Sequence, residues 1–171
     1  VDPIDGTRNF IRGVPLWAEI LGYGAAMDAT HPVIPDPTGS GLRRAMEAAL
    51  RDAVLPPAAI DYVNAHGTGT RQNDPMEYLA LRDVFGARLP QLPVSSTKPF
   101  VGHLLTASGA VETAACLLPF ARHALPPTLH FSTPDPDCPL DCIPNQSRPA
   151  HPRFIMKNSA GLGGQNASLI L

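Results

Sequence analysis

Long apolar runs, excess charge and paired cysteines are all scarce in this chain of 171 residues. No apolar stretch reaches about 18 residues, so no membrane-spanning helix is expected. A formal net charge of −2 offers no basic patch to a phosphate backbone or an anionic bilayer. Neither nucleic acid nor membrane is therefore expected as a partner. The first residues lack a basic segment followed by an apolar one, and no secretory leader is read there. Three cysteines is an odd number, which argues against a disulfide framework and for reduced thiols in the cytoplasm. Charged residues make up 16% of the chain against 44% hydrophobic ones, a balance that excludes disorder and suffices for a real core. No internal repeat recurs at a fixed period.

Proline is abundant, with 20 residues, mostly between candidate elements, which fits many short connections rather than a stiff linker. Residues 18–27 alternate well enough for a strand. Leu42, Met46, Ala49 and Leu50 recur at helical spacing, so residues 39–54 are expected as an amphipathic helix ended by Pro56 and Pro57. Residues 60–64 read as a buried strand. Asp74 and Pro75 read as the cap and first position of a helix closed by Gly86. Residues 93–97 form a short strand, and 101–124 a long helix rich in small residues, kinked by Pro119. Residues 154–158 and 165–171 read as a final hairpin. Strands alternating with helices imply a layered α/β domain.

The chemistry concentrates in two stretches. Val63 to Thr70 and Ser96 to His103 each begin on a short β-rich run and open into a helix. Each hangs a histidine, His66 or His103, on the kind of turn where α/β sheets place their sites. Two neutral imidazoles at converging strand ends can aim two N–H donors at one oxygen that gains negative charge. That is half of an acyl-transfer site. The other half, a nucleophile, has no candidate. Cys116 sits among alanines and leucines, as a core residue would, and Cys138 and Cys142 have no basic neighbour to lower a thiol pKa. His130, Cys138, Cys142 and His151 are too irregularly spaced for zinc.

Four ordered motifs make residues 18–171 resemble the C-terminal half of a β-ketoacyl-acyl-carrier-protein synthase. They are N-A-H-G-T-G-T-x-x-N-D at 64–74, S-S-T-K-x-x-x-G-H at 95–103, G-A-V-E at 109–112 and N-S-x-G-x-G-G-x-N at 158–166. The resemblance implies a thiolase-like half: a mixed sheet with helices on both faces, incomplete relative to a five-layer αβαβα fold. It implies a decarboxylating Claisen condensation in fatty acid or polyketide synthesis. His66 and His103 would hold the malonyl thioester carbonyl. Lys98 would stand with them, in a buried ion pair with Glu112 that orients the turn. The turn of Gly161, Leu162 and Gly163 would bring a backbone N–H to the acyl thioester oxygen. Thr68, Thr70 and Asn166 would contact substrate. No cofactor is implied. The implied partners are acyl-carrier protein and either another synthase subunit or a second copy of this chain.

Two departures stand out. Ala160 and Leu162 occupy positions where the family has phenylalanines, the second of them a gate beside the nucleophile. The nucleophile itself belongs to the family's other half, so the chain is expected to be inactive alone and to expose an apolar face where that half docks. Residues 1–17 form a separate segment. Asp2, Asp5, Gly6 and Thr7 stand in a stretch resembling the metal motif of the inositol monophosphatase family, D-P-[IL]-D-G-T-x-N-F. That resemblance implies Mg²⁺ on Asp2 and Asp5 and a phosphomonoesterase fragment as the rival reading. A non-catalytic, chain-length-type partner of a synthase is the third.

Overall fold

The structure, a computed structural model, describes residues 18–171. Asp2 and Asp5 lie outside the described residues. Seven strands and five α-helices are used below. They are β1 Gly22–Met27, α1 Ser40–Asp52, β2 Tyr62–Asn64, α2 Asn73–Phe85, β3 Val94–Ser95 and α3 Lys98–Val101. They continue as α4 Ser108–Ala115, α5 Leu118–Arg122, β4 Ala124–Leu125, β5 Arg148–Pro149, β6 Ile155–Gly161 and β7 Gln165–Ile170.

Five of the strands form one mixed sheet in the order β1-β7-β6-β2-β3. β1, β7 and β6 run antiparallel to their neighbours, whereas β6, β2 and β3 pair in parallel. Parallel neighbours need crossovers, and these leave the carboxyl ends of β2 and β3 side by side. β4 and β5 form a separate two-stranded ribbon.

Side-chain alternation divides the core between the two faces of the sheet. Val63, Val94, Met156 and Ile170 pack with Leu42 and Met46 of α1 and Met76, Ala80 and Leu81 of α2. Their sequence neighbours Tyr62, Ile155 and Leu171 point the other way and pack with Cys116, Leu125, Ile143 and Phe120. Helices therefore cover both faces, as expected. Each fully buried Leu, Ile or Met contributes about 1.5–3 kcal/mol. β1 carries α1 unusually closely: a Cβ on Gly24 would run into the Ala45 carbonyl, so only glycine lets the helix lie there.

Three expectations need correction. The single helix over 101–124 is absent. Gly102, at φ 79°, ends α3 after one turn, because a left-handed residue cannot continue a right-handed helix. A 3₁₀ turn at Leu105–Ala107 follows, then α4. Pro119 does not kink a helix but lies in the first turn of a new one, α5, where its missing N–H costs nothing. Asp74 is not the cap of α2. The helix begins at Asn73, and the Asp74 carboxylate accepts the Gly69 N–H at 3.2 Å and the Asn73 amide at 3.0 Å instead.

The broken segment leaves apolar side chains uncovered. Phe100, Val101, Leu104, Val111 and Leu118 are exposed, and Leu105 is 73% accessible. The chain should bind a polarity-sensitive dye such as ANS and should associate as concentration rises in sedimentation velocity. A monodisperse monomer that leaves the dye dark would contradict this. No helix among the described residues is long and apolar enough to cross a membrane.

Candidate functional site

β2 and β3 carry the site because their parallel ends release two turns in the same direction. The ladder continues one step past β2, with the Ala65 N–H on the Ser95 carbonyl at 2.9 Å, and His66 follows. From β3 the chain turns through Ser96 and Thr97 into α3, and Gly102 then throws His103 back toward His66. The two rings meet edge to face, with centroids 5.5 Å apart and planes at 83°. An unbroken helix over 101–124 would have put His103 on a helix surface, so the break is what brings the imidazoles together. Gly67 keeps the turns close: at φ 45°, it would drive a Cβ to 2.6 Å from Ser96 Cβ.

Hydrogen bonds fix the tautomer of each ring. Nδ1 of His103 accepts the Leu105 N–H at 3.1 Å, with Ser108 Oγ also 3.1 Å away. Nδ1 of His66 lies 3.3 Å from the Lys98 ammonium, which can only donate. Both Nδ1 atoms thus act as acceptors, and in the neutral ring the proton sits on Nε2. His66 is buried, and burial is the main reason its pKa falls to about 3; Lys98, Lys157 and His103 lower it further. It is a neutral N–H donor throughout the physiological range. His103 is exposed at the mouth of the site.

Beneath the rings lies a buried charge cluster. The Lys98 ammonium donates to the His66 carbonyl and binds Glu112 Oε1 at 2.6 Å. The expected Lys98–Glu112 pair is therefore present, and Lys98 and Glu112 are 6% and 2% exposed. Two further members escaped the sequence reading. Glu77 accepts the backbone N–H groups of His66 and Gly67 through its two oxygens, each at 2.9 Å. Burial raises its pKa, while those two N–H groups oppose the rise. Lys157 reaches Glu112 Oε2 at 2.7 Å as a charge contact. Burial pushes the Lys157 ammonium below the usual lysine range, and Glu112 resists that. Both residues left a trace in the sequence. Glu77 falls on the apolar stripe of α2 with Met76, Ala80 and Leu81, and Lys157 interrupts the buried run of β6.

A cleft of about 550 Å³ opens beside the His103 ring, with Ala65 and Gly67, the two neighbours of His66, in its wall. Thr68, Lys98 and His103 line it on one side, and Thr128, Phe131 and Cys138 on the other. Thr70 is turned from it: its hydroxyl meets that of Thr68 at 2.8 Å and accepts the Asn73 N–H at 3.3 Å. The Asn166 amide is committed elsewhere, to Asp28 Oδ1 at 2.7 Å and the Gly164 carbonyl at 3.1 Å. In the hairpin turn, Gly161 ends β6 and Leu162 is exposed. The Gly163 N–H is already donated to the Pro32 carbonyl at 2.7 Å, so it is not free for an oxyanion.

None of the thiols is activated. Burial pushes Cys116 up to about 12 and, with neighbouring carboxylates, pushes Cys138 and Cys142 up to about 11. Among the described residues no three His, Cys, Asp or Glu side chains converge as a metal site. His151 stacks on His123 at 4.4 Å rather than joining the cysteines.

Comparison with known proteins places this arrangement. Residues 17–132 match the model of the family described as beta-ketoacyl synthase, C-terminal domain. The 3-oxoacyl-[acyl-carrier-protein] synthase 2 of Coxiella burnetii is 42% identical over 160 residues, which cover 94% of this chain and 39% of that protein. The ishigamide ketosynthase/chain length factor superposes with a TM-score of 0.91 at 39% identity, over 96% of this chain and 40% of that one. A type II polyketide ketosynthase, solved with its acyl-carrier protein and bound to the hexaketide, superposes with a TM-score of 0.93 at 34% identity, over the same shares. The chain thus spans about 40% of the length of the relatives it matches. The resemblance of residues 1–17 to inositol monophosphatases finds no support in these matches.

Proposed function

Because this chain belongs to the β-ketoacyl synthase family, we propose that it forms the malonyl-activating part of a decarboxylating condensing enzyme. In this reading the malonyl thioester enters the cleft beside His103. The Nε2–H groups of His66 and His103 donate to its carbonyl oxygen. When the carboxylate leaves as CO₂, the electrons of the broken C–C bond pass into the thioester and the oxygen becomes an enolate. Donors fixed in advance stabilise that charge without reorganisation, which is where their binding energy lowers the barrier. The enolate carbon then attacks an acyl thioester, and the thiolate that carried the acyl group leaves. No cysteine of this chain suits that thiol, so we place it on the remainder of the synthase. Acyl-carrier protein is the proposed donor of the malonyl unit, and the exposed apolar residues of α3 to α5 are the proposed seat of the remaining synthase.

The convergence of two tautomer-fixed imidazoles carries this reading. It is tested by titrating the chain, labelled with ¹⁵N-histidine, with a non-decarboxylating malonyl-pantetheine analogue. The ring signals of both His66 and His103 should move together, and His103→Ala should remove the response. Silence from both rings would end the proposal. Acyl-carrier protein bearing a radiolabelled acyl chain should leave no covalent mark on Cys116, Cys138 or Cys142. A mark on any of them would overturn the placement of the nucleophile.

A further inference from the structure

One carboxylate neutralises one ammonium, yet Glu112 holds two. Its Oε1 binds Lys98 at 2.6 Å and its Oε2 meets Lys157 at 2.7 Å. Lys157 is 2% exposed, and its ammonium also donates to the Asn158 carbonyl at 2.6 Å and to Ser159 Oγ. These contacts anchor it to its own strand and leave its charge in place. With both lysines protonated, the cluster of Lys98, Lys157 and Glu112 carries a net positive charge in the interior, where charge is costly. A purely structural pair would need no second lysine.

We infer that Lys157 is a positioning residue for His66, clamping Glu112 from the far side so that Lys98 stays on the His66 carbonyl and Nδ1, and keeping the imidazole unprotonated by its charge. The geometry gives both effects a route. The Lys157 ammonium lies 2.7 Å from Oε2 without hydrogen-bond geometry, so its pull on the carboxylate is one of charge, and that pull favours the orientation that keeps Oε1 on Lys98. With a net positive cluster already buried, a proton on His66 would add a second uncompensated charge. The groups facing His66 agree with this. Lys98 comes from α3, His103 from the loop beyond it and Glu77 from α2, where its carboxylate is occupied by the backbone N–H groups of His66 and Gly67. Lys157 and Glu112 stand behind Lys98.

This deepens the reading of His66 as a neutral donor and rests on it for its functional consequence, but the test does not require thioester binding. Imidazole signals of the 171-residue chain are followed against pH. In Lys157→Met the His66 midpoint should rise by on the order of one pH unit. Lys157→Arg, which keeps the charge, should hold it at the native value. A folded Lys157→Met with an unmoved midpoint would overturn the inference. A second measurement needs no variant. Selective ¹⁵N-lysine spectra of the native chain should show Lys157 as a protonated, slowly exchanging ammonium at neutral pH, and a neutral amine there would equally overturn it. A moved midpoint together with no response to the malonyl analogue would leave this inference standing and remove the proposed function.

Discussion

Glu112→Ala should cost about 3–5 kcal/mol of folding stability, the range for breaking a buried ion pair from one side. The substitution removes the carboxylate that bridges Lys98 and Lys157, which are 6% and 2% exposed. Two ammoniums would then share a buried space with the Asn158 carbonyl and Ser159 Oγ, and the His66 carbonyl and Nδ1, as their remaining acceptors. The chain must deprotonate them, admit water or open. Each response forfeits part of a total stability that is only about 5–15 kcal/mol for domains of this kind. Urea unfolding followed by circular dichroism reads the effect as a lower midpoint. Glu112→Gln keeps the shape and an acceptor, and should lose less than the alanine variant. A midpoint for Glu112→Ala within about 0.5 kcal/mol of the native value, the range of an ordinary surface change, would mean that the cluster is solvated and the site differently built.

Acid should weaken the fold well before its exposed carboxylates titrate. His66 has an ordinary pKa of 6.5 in the unfolded chain and about 3 in the folded one. Below pH 6.5 the unfolded chain takes up a proton that the folded chain refuses, so the stability held by the neutral ring is complete above that pH. It declines steadily as pH falls toward 3. The full shift corresponds to several kcal/mol, on the order of 5. Glu77 works the other way: its carboxyl is raised by burial, so its contribution is present in acid and lost as pH rises through that raised value. The two overlap, and Glu77 flattens part of the slope. Urea midpoints measured between pH 7.5 and about 4 should fall for the native chain and fall less for His66→Asn. Parallel declines in both would show that the ring does not carry the dependence.

The layered α/β order, the amphipathic helix over α1, the final hairpin and both histidine-bearing turns were legible in the sequence. They are set locally, by the apolar periodicity of Leu42, Met46, Ala49 and Leu50, by strand alternation, and by glycines where the backbone must turn. The Lys98–Glu112 pair was legible only through its match to a family pattern, because at a separation of 14 positions the chain between them carries no local sign of contact. What the sequence misread was continuity. Alanines and small residues after Val101 favour a helix, but Gly102 and Leu105 take positive φ, and the chain breaks there.

What the break achieves depends on β2 and β3 ending side by side, a matter of strand order that no window of the sequence contains. The tertiary structure alone decided that His103 faces His66, that Glu77 braces the turn from α2, and that Lys157 shares a carboxylate with Lys98. It also committed the Gly163 N–H and the Asn166 amide to the loop at residues 28–32. Short-range preference determines which elements form. Convergence of side chains far apart in the chain is an outcome of packing, and buried charges find their partners only once the sheet has closed.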